Sequence, residues 1–158
     1  MSVSLQSFSQ CEILNRLLPD ETMLYYMQPV VFYWTSAKEL KGCVVTDKEN
    51  YFVGLRPRPF PDKSQGNKLK EDLEIKLAND KIYRLSHYDT RYTENDTVVE
   101  LLYLIDKKEL DDFLNFEVLS AKINMKGDEG MRTYVFKLHK KALMEQLACF
   151  LKEYEHKK

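Results

Sequence analysis

The chain has 158 residues, with 24 Lys and Arg against 25 Asp and Glu, which gives a formal net charge of −1. Nucleic-acid binding depends on an excess of positive charge, so we expect no nucleic-acid partner. Hydrophobic residues make up 44% of the chain, which excludes wholesale disorder. This length predicts a single domain, 1–158, with an N-terminal extension over 1–20, a long loop over 57–70 and a helix over 140–155.

The cysteines and the apolar pattern predict a cytoplasmic location. Cys11, Cys43 and Cys149 are odd in number and far apart, which is typical of free thiols in a reducing compartment. The first ten residues lack the basic cluster and continuous apolar run of a signal peptide. No stretch approaches about 18 consecutive apolar residues, so we expect no membrane span.

The N-terminal third favours one short helix followed by one or two strands. Apolar residues recur at helical spacing over 11–18, and Pro19 limits any continuation. Both faces of 24–34 are apolar, as in a strand that is covered on both sides. Because proline cannot donate to a ladder, this segment is either an edge strand or two short strands broken near Gln28 and Pro29.

The rest of the chain reads as antiparallel strands that end in a helix. Strands are predicted over 40–46, 51–56, 73–77, 81–88, 97–105, 117–125 and 132–138, with a helix as the alternative for 97–105. Asn79 and Asp80 favour a hairpin turn, and Asp106 is a helix N-cap with Glu109 three residues later. Apolar residues at three- and four-residue spacing predict an amphipathic helix over 140–155.

The predicted fold class is α+β. It is mostly antiparallel β, with about seven or eight strands, a C-terminal amphipathic helix and a short N-terminal helix. Over 24–154 this order of elements resembles that of the pleckstrin-homology-like (PH-like) barrel, in which a C-terminal helix plugs one end. The resemblance implies a PH-like barrel, and a strongly bent sheet is the alternative.

The motifs of common catalytic sites are missing from the sequence. Its five glycines are scattered, so no phosphate-binding loop, nucleophile elbow or dinucleotide fingerprint is present. Zinc-type Cys or His spacing is also missing, and we predict no cofactor, no metal and no enzymatic activity. His87 and Asp89 alternate along a strand and would share a face, as a base with its carboxylate or as two metal ligands. The alternative is a surface histidine. We expect His139 to cap or pack at the strand-to-helix junction and His156 to lie at the terminus.

A basic, proline-rich stretch is the main candidate for binding. Residues 56–70 carry five bases and one acid, for a local charge of +4, while 89–112 carry eight acids and three bases, for −5. Alternating prolines favour an extended conformation that presents its side chains for recognition. The candidate binding residues are Arg56, Arg58, Phe60, Lys63, Lys68 and Lys70. A solvated loop is the alternative, and separate basic and acidic surfaces would favour head-to-tail association.

A second candidate surface is the aromatic run Tyr25, Tyr26, Phe32, Tyr33 and Trp34. These residues either pack in the core or form an interface, for example in a homodimer made by strand addition. Our first hypothesis is a non-enzymatic binding or adaptor domain that recognises a protein or peptide partner. The second is a PH-like domain for an anionic lipid or small ligand, with peripheral membrane contact through the basic loop. An enzyme of unknown class is the third.

Overall fold

The computed structural model describes residues 11–60, 71–93, 98–126 and 130–155. Within them the chain forms ten strands and two short α-helices. The strands are β1 (Leu14–Leu17), β2 (Met23–Tyr26), β3 (Val30–Trp34), β4 (Glu39–Thr46), β5 (Tyr51–Arg58), β6 (Leu73–Leu77), β7 (Ile82–Thr93), β8 (Val98–Ile105), β9 (Val118–Lys126) and β10 (Gly130–Val135). A 3₁₀ turn (Lys107–Glu109) leads into α1 (Leu110–Asn115), and a π-helical turn (Leu151–Glu155) extends α2 (Ala142–Phe150).

The strands form one antiparallel sheet that does not close into a barrel. Its order is β1-β2-β4-β5-β8-β7-β6-β9-β10, and β3 also pairs with β4. The chain after β10 passes β3, where the Lys137 and Leu138 amides donate to the carbonyl of Phe32, at 2.9 and 3.1 Å. These two hydrogen bonds connect the segment after β10 to β3, and the two strands do not form a paired ladder.

Of the two alternatives for 24–34, the structure has the two short strands, β2 and β3, with the break at Pro29. β2 pairs with the Val45–Thr46 end of β4, and β3 pairs with the Glu39–Gly42 end, so the two short strands follow each other along one side of β4. Between them the amide of Val44 donates to Oε1 of Gln146 in α2, at 2.7 Å. The Gln146 side chain therefore supplies the hydrogen bond that the broken strand leaves unmade.

The inner face of the sheet and the helices enclose the main core. Phe32 stacks on Phe136 at a centroid distance of 4.3 Å. The C-terminal helix contributes Leu143, Leu147 and Phe150, all buried, which confirms the predicted amphipathic stripe. A smaller cluster lies on the outer face under the β1–β2 hairpin. Its members are Leu24, Cys43, Val45, Phe52 and Leu102.

Most of the predicted strand pairs are confirmed. The runs over 40–46 and 51–56 pair as β4 and β5, and the turn with Asn79 and Asp80 joins β6 to β7. The segment over 97–105 is the central strand β8, between β5 and β7, rather than a helix. β9 and β10 form the last hairpin. Asp106 accepts a hydrogen bond from the Lys108 amide and so caps the 3₁₀ turn.

Three expectations about local structure are wrong. Residues 14–17 form strand β1 instead of a helix, because β1 pairs with β2 and Leu17 remains exposed instead of covering a core. The strand count rises to ten because β1 is added and 24–34 divides into two strands. Pro57 and Arg58 belong to β5 and not to a loop. Pro57 lies beyond the last β5–β8 pair, at Leu55, so its missing N–H costs no bond to β8.

The expectation of three free thiols is also wrong. Cys11 and Cys149 form a disulfide that joins the N-terminal segment to α2 across 138 residues of sequence. Cys43 is a free, buried cysteine. The described residues contain no helix that is both long enough and apolar enough to cross a membrane.

Candidate functional site

A bulge in β3 turns Trp34 away from the core. Val31 pairs with Lys41 but Tyr33 pairs with Leu40, so Phe32 is the extra residue. Two consecutive side chains, those of Phe32 and Tyr33, therefore pack against the core, and strict alternation is lost. Trp34 is then directed to the outer face with a 65% exposed side chain. It is the only tryptophan in the chain.

Trp34 borders an open cleft of about 500 Å³, where the β3–β4 turn meets the end of β5. The lining includes Glu39, Arg58, Pro59 and Phe60. Trp34 pairs with Glu39 and Glu39 pairs with Arg58, so these three side chains form one row across three strands. The Arg58 side chain is 57% exposed, and its Nη1 lies 4.0 Å from Oε1 of Glu39. An exposed indole and an accessible guanidinium thus line the same cleft, with Glu39 between them in the row.

Hydrogen bonds hold both walls of the cleft in place. Oγ1 of Thr35 accepts from the amides of Ala37 and Lys38, at 3.1 and 3.0 Å, which fixes the β3–β4 turn. On the other wall, Nη1 of the buried Arg132 donates to the carbonyl of Pro59 at 2.6 Å and to the Tyr134 hydroxyl at 2.7 Å. Because both walls are fixed before a ligand arrives, binding requires little ordering of the site.

Lys38 connects the cleft to the place where β3 and β10 approach each other. Its ammonium group donates to the carbonyl of Thr133 at 3.3 Å, and lies 5.7 Å from the ring of Tyr33 and 5.2 Å from that of Tyr134. The two tyrosines meet edge to face at 5.8 Å. On the β5 side, Phe60 lies 6.0 Å from Tyr92. Aromatic packing thus joins the cleft to the core.

Next to the cleft, charged side chains form a second row on the outer face. Lys41 pairs with Arg56, and Arg91 pairs with Glu100, on the four adjacent strands β4, β5, β8 and β7. Glu100 is 1% exposed. It forms a salt bridge with Arg16 of β1, and its Oε2 lies 3.4 Å from Nε and Nη2 of Arg56. We call Lys41, Arg56, Glu100 and Arg91 the cationic row.

The cationic row lies beside the small outer cluster. The guanidinium of Arg16 lies 5.2 Å from the ring of Tyr26. Burial, and to a smaller extent the charge of Glu100, raises the pKa of the Cys43 thiol to about 12, against the opposing effects of Arg56 and Arg16. The Cys43 thiol is therefore protonated and unreactive at neutral pH.

The structure divides the predicted binding residues into separate groups. Arg58 and Phe60 come together in the cleft, whereas Arg56 turns to Glu100. Lys63, Lys68 and Lys70 lie outside the described residues. The condition for head-to-tail association, separate basic and acidic surfaces, is not met at Arg56, whose ion pair with Glu100 joins the two regions.

Four of the five predicted interface aromatics make close packing contacts. Phe32 lies in the core, Tyr33 meets Tyr134, and Tyr26 lies beside Arg16. Tyr25 meets Tyr154 at 5.7 Å, where Lys48 approaches both rings. Trp34 is the exposed member of the group. Packing contacts therefore account for most of the aromatic run, and Trp34 is exposed.

The predicted pair of His87 and Asp89 does not form. A bulge lies between them, so His87 is opposite Tyr103, which faces the core, and Asp89 is opposite Leu102, which faces outward. Nε2 of His87 lies 2.6 Å from Oγ1 of Thr90. The described residues contain no group of three or more His, Cys, Asp or Glu side chains that could hold a metal ion.

Of the described histidines, neither His87 nor His139 lines the cleft at Trp34. His139 is exposed and has a positive φ of 50°, so it does not pack in the core. Its carbonyl accepts from the Ala142 amide at the start of α2, and the capping role therefore belongs to its backbone. His156 lies outside the described residues.

A second concavity, of about 480 Å³, lies between α2 and the β2–β3 link. Met27, Val30, Ala142 and Ala148 provide apolar walls, and the disulfide borders it. The buried Gln146 also lines it, and its amide is already bonded to the backbone of β4 and of Gln28. This groove is largely apolar, in contrast to the cleft at Trp34.

Comparison with known proteins gives no relative from which a role could be transferred: no family model, curated protein or solved structure matches the chain.

Proposed function

We propose that the chain is a non-enzymatic binding domain that recognises an acidic peptide segment of a partner protein in the cleft at Trp34. The observation that carries the proposal is that the exposed indole of Trp34 and the accessible guanidinium of Arg58 line one open cleft. Tryptophan and arginine are the residue types that most often dominate binding energy at interfaces.

The walls of the cleft indicate the chemistry of the partner. Trp34, Pro59 and Phe60 offer apolar contacts for an aromatic or proline side chain. Arg58 offers a fork of N–H donors suited to a carboxylate. Its contact with Glu39, at 4.0 Å, is long and exposed, so a peptide carboxylate can compete for it. A peptide with an acid next to an aromatic or proline anchor would satisfy both groups.

The test is a selection of random 12-residue peptides on the wild-type domain. We expect enriched sequences in which Asp or Glu lies near Phe, Tyr or Pro. Binding of a selected peptide should be weakened by Trp34→Ala and Arg58→Gln. Arg84→Gln is the matched control, because Arg84 is an exposed arginine paired with Glu74 on the β6–β7 hairpin, away from the cleft. Failure to enrich such peptides, or equal binding by all three variants, would refute the proposal.

The other hypotheses receive less support from the described residues. An anionic lipid would need the basic loop, of which Lys63, Lys68 and Lys70 lie outside the described residues. A catalytic role would need His87 and Asp89 on one face, and the β7 bulge places them on opposite faces. A homodimer, a PH-like fold and a cytoplasmic location stay predictions. The last of these has lost the support of three free thiols, because Cys11 and Cys149 form a disulfide.

A further inference from the structure

We infer that the cationic row is a subsite for a phosphate group on the partner peptide. This inference rests on the proposed function, since it places a phosphorylated residue of the same peptide next to the cleft. Arg56 and Arg58 are two residues apart on one strand face. An extended peptide has the same repeat, roughly 7 Å for two residues, so a phosphoresidue about two positions from the anchor would reach the row.

The row carries more cations than the carboxylate within it can satisfy. Glu100 is bonded by Arg16 and Arg56. Neither Lys41 nor Arg91 makes a salt bridge within the part of the chain that the structure describes. Cross-strand neighbours have Cβ atoms about 4.5–5.5 Å apart, so Lys41 and Arg56 repel each other unless an anion lies between them.

Nearby acids reduce this excess of charge without removing it. The pKa of the Asp20 carboxyl, in the β1–β2 turn, is lowered mainly by hydrogen bonds from Thr22 and least by the charge of Arg91. Asp89 lies on the outer face of β7, two residues before Arg91. Both acids lie on the Arg91 side, while on the other side Glu39 lies two residues before Lys41 and is shared with Arg58. The three cations Lys41, Arg56 and Arg58 thus outnumber the one acid at that end. A phosphate there would meet one lysine and one arginine.

Phosphate fits this position better than a second carboxylate. A phosphoserine carries about −1.5 to −2 charges at neutral pH and three acceptor oxygens, so one group can be shared by donors on two or three strands. The row therefore offers donors from more directions than a carboxylate can use.

A peptide fits the row better than a membrane surface. The β1–β2 hairpin covers the outer face on one side of the row, where Arg16 reaches Glu100. The Arg56 side chain is only 22% exposed. A single phosphorylated side chain can enter such a recess, whereas a flat bilayer meets projecting loops first. Phosphopeptide recognition by clustered arginines is a common binding mode.

The test compares two synthetic forms of a peptide selected on the cleft, one with serine and one with phosphoserine two positions from its anchor. Affinity is measured by calorimetry on wild type, Lys41→Gln, Arg91→Gln and the control Arg84→Gln. We expect the phosphopeptide to bind wild type and the control roughly tenfold tighter than the serine peptide. This ratio should fall to about twofold or less in Lys41→Gln. Lys41 and Arg91 are chosen because replacing either leaves Glu100 bonded to Arg16 and Arg56.

The outcomes separate this inference from the function on which it rests. Equal affinity for the two peptides, with binding still dependent on Trp34 and Arg58, would overturn the subsite and leave the proposed function standing. If wild type co-sediments with phosphatidylcholine vesicles that contain a phosphoinositide and Lys41→Gln does not, the ligand of the row is a lipid headgroup. That result would overturn the inference that the phosphate belongs to a peptide. If the serine peptide does not bind at all, the proposed function fails first. Thermal melts of each variant show whether it is folded.

Discussion

The bond between Gln146 and β4 gives the sharpest prediction about stability. Gln146→Leu keeps a side chain of similar volume but removes the acceptor for the Val44 amide. Val44 is 1% exposed, so water cannot replace the lost bond. An unsatisfied buried donor costs about 1–3 kcal/mol, and the weaker bond to Gln28, at 3.4 Å, adds little. We therefore expect a loss of about 1–3 kcal/mol.

The measurement is urea unfolding followed by far-ultraviolet circular dichroism. A loss of this size would lower the melting temperature by about 2–12 °C for a chain of this length. Glu145→Leu is the control, because Glu145 is the exposed neighbour on the same helix and its replacement should change stability by less than about 0.5 kcal/mol. Equal effects of the two variants, or a change below about 0.5 kcal/mol in Gln146→Leu, would refute the role assigned to this bond.

Three further predictions concern cysteines and glycines. A thiol assay of the denatured protein should find one free thiol before reduction and three after it, and three thiols before reduction would contradict the disulfide between Cys11 and Cys149. Cys11→Ser should lower the free energy of unfolding by up to about 5 kcal/mol, because the disulfide closes a loop of 138 residues. In the folded protein Cys43 should resist alkylation by iodoacetamide at pH 8, and rapid labelling would disprove its burial. Because folding raises the pKa of its thiol from 9.0 to about 12, the contribution of Cys43 to stability should fall as the pH rises from 9 toward 12. In urea unfolding, Gly42→Ala should destabilise the protein more than Gly54→Ala does. A Cβ at residue 42 would lie 2.7 Å from a backbone oxygen, whereas a Cβ at residue 54 would lie 3.2 Å from side chains, and the reverse order of stability would contradict this packing.

Local patterns predicted most of the strands because each depends on neighbours in sequence. Alternation identified β6, β7 and β9, β-rich or continuously apolar runs identified β4, β5 and β8, and the three- and four-residue spacing identified α2. The same reasoning failed for β1, where helical spacing of apolar residues was read as a buried stripe. Leu14 and Leu17 are exposed. The β1 side chain that has a specific partner is Arg16, which binds Glu100, 84 residues later in the sequence. No local pattern contains that contact.

The candidate site was predicted only in part, because bulges reverse the faces of strands. Alternation from Phe32 places Trp34 in the core, and the extra residue in β3 turns it outward. The bulge in β7 separates His87 from Asp89 in the same way. Arg58 and Phe60 lie close together because only Pro59 separates them in sequence. Their meeting with Trp34 depends on the register of β3, β4 and β5, which the sequence does not reveal.

The central claim is that Trp34 and Arg58 act together in recognising an acidic peptide. Because Trp34 is the only tryptophan, its fluorescence reports directly on the cleft. The most direct measurement is a fluorescence titration of wild type, Arg58→Gln and Arg84→Gln with the selected acidic peptide. We predict a saturable change in emission for wild type and Arg84→Gln, with affinity roughly tenfold weaker in Arg58→Gln. Unchanged emission on binding, or equal affinity in all three proteins, would contradict the account.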